Sequence, residues 1–141
     1  MGETLRFVDN GDGTIADNES GLVWCKQDSW QIEHDWLDFK ESMKFIDEMN
    51  KKDHLGFHDW RIPEKEEAEK IFMADSIIRG RSNQEIHLDP IFEPGCGNGT
   101  WCLPFDQQAV FYLSFVSGIM QTYDQDYSQG YVRMVRLWPD D

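Results

Sequence analysis

The stretch FVDNGDGTIADNESGLVW, residues 7–24, holds three short apolar runs separated by two clusters of turn-forming residues. Arg6 to Val8 and Thr14 to Ala16 have strand character. Between them, Asn10-Gly11 and Asp12-Gly13 are dipeptides that readily take the positive backbone angles of tight hairpin turns. A second turn at Asn18 to Gly21 leads into Leu22-Val23-Trp24. The reading is an antiparallel meander at the start of the chain. Asp9, Asp12 and Asp17 admit a second reading, as ligands of calcium. That ion takes about six to eight oxygens, commonly with a late bidentate glutamate. Asp9 to Gly13 supplies too few, no EF-hand helix follows, and Glu19 is the nearest late carboxylate. The expectation is a structural turn and no cofactor, with calcium on Asp9, Asp12 and Asp17 as the minor alternative.

Downstream the period changes. From Trp36 to about Lys51 the apolar residues Trp36, Phe39, Met43, Phe45, Ile46 and Met49 recur at helical spacing, with charged residues on the other face and Asp35 placed as cap. HDWRI, residues 58–62, reads as extended. Pro63 then takes a first-turn position, and Glu64, Glu66 and Glu67 suit the positive end of a second helix running to Asp75 or Ile78. Residues 80–104 show no period and read as one long loop, the kind of segment that often carries function. Val110 to Val116 alternates, with Phe111, Leu113 and Phe115 on a core face and Tyr112 and Ser114 on the other. Ile119 to Tyr123 returns, and Tyr131 to Leu137 is a closing strand. The fold class is α+β, in one domain spanning residues 1–141.

Composition narrows the function. The 141 residues are 40% hydrophobic with six tryptophans and nine phenylalanines, enough for a core. Asp and Glu number 27 against 13 Lys and Arg, a formal net charge of −14. Such a surface repels phosphate backbones and sulfated polymers, which argues against nucleic acid as a partner. No apolar run approaches the ~20 residues of a membrane span. MGETLRF lacks the features of a signal peptide, which leaves cytoplasmic and exported readings both open.

Motifs for catalysis are sparse. His34, His54 and His87 are isolated, and no serine has a GxSxG setting. His58 and Asp59 are adjacent on an extended segment, so their side chains point to opposite faces and form no relay. The bland account of HDWRIP has Trp60 and Ile62 anchored in the core while Arg61 or Asp59 ties the segment by charge. Cys25, Cys96 and Cys102 make an odd set and a poor zinc site. Cys96 and Cys102 flank GNGTW and can close a small disulfide ring in an oxidising compartment.

Four stretches in order, FVDNGDGTIADNESGLVW, HDWRIP before an acidic helix, VFYLSFVSG and YVRMVR, together resemble the bacterial DUF1566 family, the C-terminal domain of the Legionella collagen-like protein. The resemblance covers nearly the whole chain. It implies a C-type-lectin-like fold related to formylglycine-generating enzymes, with small antiparallel sheets, two helices, a long loop region and the two termini paired as neighbouring strands. It also implies a secreted, periplasmic or cell-surface setting and a role in adhesion or glycan binding. Met134 stands in YVRMVR where family members often carry a cysteine, so no disulfide is carried over there.

Within that frame Trp101, Gln107, Gln108, Tyr112, Gln121, Tyr123, Asp124, Asp126 and Tyr127 fall together as rings beside amides and carboxylates. This is a composition suited to sugar or peptide recognition. The expected function is a noncatalytic binding or adhesion module recognising a glycan or protein through its C-terminal sheet and long loop, with self-association possible. The alternative is a redox enzyme of the formylglycine-generating type using Cys96 and Cys102.

Overall fold

A computed structural model describes residues 5–103 and 109–137. The chain forms strands β1 (Phe7–Asp9), β2 (Thr14–Asp17) and β3 (Leu22–Cys25), then helices α1 (Ser29–Glu33), α2 (Phe39–Lys51) and α3 (Lys65–Ile71). Strands β4 (Ile78–Arg79), β5 (Glu85–Ile86), β6 (Gly99–Cys102), β7 (Ala109–Ser114), β8 (Met120–Asp124) and β9 (Val135–Leu137) follow. The class is α+β, built on three small antiparallel sheets.

The opening meander forms as the turn residues dictate. Gly11, Gly13 and Gly21 all take positive φ, and the Asp9 and Asp12 carboxylates accept from the Gly11 and Thr14 amides at 2.9 and 3.0 Å. The four-stranded sheet has the order β1-β2-β3-β9. The termini therefore share a sheet but are not neighbours, a correction to the paired arrangement. Two tight hairpins place β2 between β1 and β3. The free edge of β3, with all four residues buried, receives β9, while β1 buries only Phe7 and remains an outer strand.

The helices are shorter than the periodicity suggests. Helix α2 starts at Phe39 because Asp38, and not Asp35, caps it: Asp38 accepts from the Glu41 amide at 2.7 Å and Glu41 answers on the Asp38 amide at 2.9 Å. This reciprocal box leaves Trp36 outside the helix. Helix α3 has Glu64 as its cap and ends at Ile71. Helix α1, only five residues long, is too short to show a period.

HDWRIP acts as a clasp. Trp60 and Ile62 are buried, and Asn50 holds both the Trp60 amide and carbonyl. Arg61 exchanges backbone hydrogen bonds with Val135 at 2.9 and 3.0 Å and forks onto Glu67, while Asp59 takes Arg136. Both charged residues thus tie the segment to the closing strand, Arg61 through its backbone and Asp59 through its carboxylate.

Residues 80–103 are less loop-like than their composition suggests. Ile86, Leu88, Phe92 and Cys96 are fully buried, and β6 pairs with β7. Two buried clusters result. One gathers Phe7, Trp24, Ile71, Phe92, Leu113 and Val135; the other gathers Phe39, Trp60, Trp101, Val110, Tyr112 and Met134. The sheet β6-β7-β8 lies between them, with Leu113 in the first and Val110 and Tyr112 in the second.

Candidate functional site

Register brings most of the expected site together. Trp101 lies opposite Tyr112, and Tyr112 opposite Gln121, so these three share one face of the sheet, and Tyr123 follows two residues on. The rings form a connected cluster. Trp101 meets Tyr112 edge-on at 4.8 Å, Tyr123 at 6.0 Å and Tyr127 at 6.4 Å, and Tyr123 stacks on Tyr127 at 4.6 Å with 27° between planes.

Burial divides this cluster, and two expected contact residues are corrected. Trp101 is fully buried: Phe39 of α2 packs against its ring edge-on, and its indole N–H donates to the Leu37 carbonyl at 2.9 Å. Tyr112 is 6% exposed and donates to the Asn98 side chain at 2.7 Å, with burial pushing its hydroxyl pKa well up. Alternation assigns Tyr112 to an open face only when one side of a sheet is solvated. Here the second cluster covers that side, as happens in sheets sandwiched between layers. Phe111, on the nominal core side, is only half-buried under the Lys65 ammonium, 4.1 Å from its ring centre.

What remains accessible lies at the outer strand β8. Gln121, Asp124 and Asp126 are exposed, Tyr127 is 39% exposed and Tyr123 half-buried. With Ala109 and Thr122, the residues Tyr123, Asp124, Asp126 and Tyr127 line a shallow pocket of about 440 Å³. The Tyr123 hydroxyl donates to the Gln121 side chain at 2.9 Å, which fixes that ring. Thr122 and Ala109 were not anticipated, although their places opposite Phe111 and Asp124 follow from the register. Gln107 and Gln108 lie outside the described residues.

The acidic hairpin is engaged differently. Asp17, almost wholly buried, takes a two-pronged hydrogen bond from Arg6; desolvation raises its pKa, but Arg6 and the Glu19 amide hold it below the ordinary value. Asp9 pairs with Lys26 at 2.9 Å, which lowers its pKa, and Asp12 accepts from the Thr14 hydroxyl at 2.6 Å. Among the described residues no three His, Cys, Asp or Glu side chains are grouped to hold a metal.

All three cysteines are free thiols buried in the core. Burial drives Cys96 up to about 11 and Cys102 up to about 12, and raises Cys25 further. Cys102 belongs to β6 and donates to the Thr100 carbonyl at 3.4 Å. Cys96 and Cys102, whose pairing the sequence leaves open, are not bridged in this structure, and three of the five residues of GNGTW belong to β6.

With the sheet order and the clasp in place, the comparison with known families is decisive. The family described as Lcl C-terminal domain matches residues 13–136. The chain belongs to the Lcl C-terminal domain family. The match begins within the first hairpin turn and ends inside β9, so it takes in the clasp, the second core cluster, all of the first but Phe7, and the β8 pocket. No curated protein and no solved structure matches the chain. No helix among the described residues is long and apolar enough to cross a membrane.

Proposed function

We propose that this domain is a noncatalytic recognition module with a C-type-lectin-like fold, displayed outside the cytoplasm, that binds a glycan at the outer edge of β8. The observation carrying this reading is the stacked pair Tyr123 and Tyr127 beside the exposed carboxylates of Asp124 and Asp126 in one shallow pocket. Aromatic rings supply area for the apolar face of a sugar, and carboxylates and the Thr122 hydroxyl accept or donate to its hydroxyls. The acceptor-rich lining and the charge of −14 favour a neutral saccharide over a sulfated one.

Redox chemistry on Cys96 and Cys102 has less in its favour. The thiolate is the reactive form, and both thiols are buried where it is disfavoured. A glycan array probed with the wild-type domain and with Tyr127→Ala tests the proposal. Retention of neutral glycans by the wild type alone supports it; no retained glycan, or equal retention by both, overturns it.

A further inference from the structure

A second group of rings stands apart from the β8 pocket. Trp30 of α1, Trp36 and Tyr131 gather around Arg81, whose guanidinium carbon lies 3.6 Å from the Trp30 ring centre and 5.5 Å from that of Trp36. Trp30 meets Tyr131 edge-on at 6.2 Å. The arrangement is held from several sides. The Arg81 amide donates to the Cys96 carbonyl at 2.7 Å, and a side chain at Gly97 would collide with the Tyr131 ring. Trp36, outside its helix, keeps 43% of its surface open.

The hydrogen bonds of this group run one way. The Tyr131 oxygen accepts from Trp36 Nε1 at 2.8 Å and from Arg81 Nη1 at 3.0 Å. A phenolic oxygen has two acceptor positions, so both are used and its own proton points to a third group. Among the described residues none accepts it. Nor does Arg81 form an ion pair among them, and its Nε, shielded from solvent, has no partner. In a chain with 27 acidic side chains, an arginine stacked on tryptophan without a carboxylate is conspicuous. The group presents donors and positive charge but no acceptor.

We propose that Trp36, Arg81 and Tyr131 form a docking point for a carboxylate side chain, Asp or Glu beside an apolar residue, on a peptide segment of a protein partner. Stacking pre-orients the guanidinium, so little freedom is lost when its Nη groups donate to a carboxylate. The open indole covers the neighbouring apolar side chain. Trp, Tyr and Arg are the residues in which protein interfaces concentrate binding energy. A neutral sugar needs acceptors as well as donors, which this patch lacks and the β8 pocket offers. The proposal does not rest on the glycan reading, and the two are read with different probes.

The test is selection of a random linear peptide library on the immobilised domain, in parallel with Arg81→Gln, Arg81→Lys and Trp36→Ala, each checked for a native circular dichroism spectrum and cooperative melt. The wild type is expected to enrich Asp or Glu next to an apolar residue. A synthetic peptide of that consensus should bind at least ~10-fold more tightly than its Gln or Asn analogue, and similarly more tightly than it binds each variant. If Arg81→Gln fails to fold, Trp36→Ala at its exposed ring and Arg81→Lys carry the comparison. Absence of enrichment, enrichment without an acidic residue, or equal binding by the folded variants overturns the proposal. So does retention of acidic glycans by the wild type in place of peptides, with loss on Trp36→Ala.

Discussion

Tyr123 and Tyr127 stack 4.6 Å apart at the rim of a cluster whose inner ring, Trp101, is wholly buried. One aromatic group thus has an inner part that supports the fold and an outer part that faces solvent. Replacing the two parts should have opposite signatures. Tyr127→Ala is expected to lower stability by about 1 kcal/mol or less, as for most exposed positions. Trp101→Ala leaves a void under α2 and is expected to cost about 3–5 kcal/mol. Urea unfolding of the two variants checks this, and comparable losses would contradict the division.

The glycines near these rings are a second check. A side chain at Gly130 would come within 2.3 Å of the Trp101 indole nitrogen, and one at Gly97 within 2.3 Å of the Tyr131 ring. Both positions are hemmed in by rings with no space to retreat. Gly130→Ala and Gly97→Ala should each destabilise by about 1–3 kcal/mol. Gly21→Ala meets nothing within 4 Å and should cost less, through its φ of 73° alone. Melting temperatures in the reverse order would refute the packing described.

Acid stability should depend on the first hairpin and the clasp. Asp59 is held below its ordinary value of 3.8 by the hydrogen bond from Arg136, and Asp17 is also depressed, its contacts with Arg6 and the Glu19 amide outweighing desolvation. Because the folded state binds these protons less tightly than the unfolded chain, their contribution is complete above the ordinary carboxylate range. It is lost as pH falls through the depressed folded values. Asp28, raised by burial despite Arg133 and the Gly97 amide, works in the opposite sense. Asp17→Asn should cost about 1–3 kcal/mol at neutral pH and flatten the acid limb of a stability profile. An unchanged profile would remove the Arg6–Asp17 pair from this account.

Thiol chemistry gives a fourth expectation. With all three cysteines buried, and Cys96 and Cys102 shifted to about 11 and 12, the native domain should react with a thiol reagent at mildly alkaline pH only through unfolding. Three equivalents should appear in denaturant. Rapid native labelling, or fewer than three thiols in the denatured protein, would contradict the buried free-thiol arrangement.

Much of the fold is legible in the sequence because local rules act alone there. Asn10-Gly11 and Asp12-Gly13 specify the first hairpin whatever surrounds it, and Trp60 and Ile62 fall in the core as their hydrophobicity requires. Other positions depend on what packs against them. Whether Tyr112 faces water is set by α2 lying over the sheet, which alternation within β7 does not encode. The start of α2 is decided by the Asp38–Glu41 box; Asp35 does not cap it, because Leu37 bridges to Gly130 and holds the intervening backbone out of the helix. The buried run of Ile86, Leu88 and Phe92 has strands too short for any period. Arg81 was invisible for a similar reason: its partners come from residues 30, 36 and 131.

The central claim is recognition at the outer edge of β8, and amide chemical-shift mapping tests it most directly. Titration of the isotopically labelled domain with a neutral oligosaccharide retained on the array should shift Thr122 to Tyr127 first and leave the hairpin at Asp9 to Gly13 unchanged. Shifts centred on any other surface, with residues 122–127 unmoved, would contradict it.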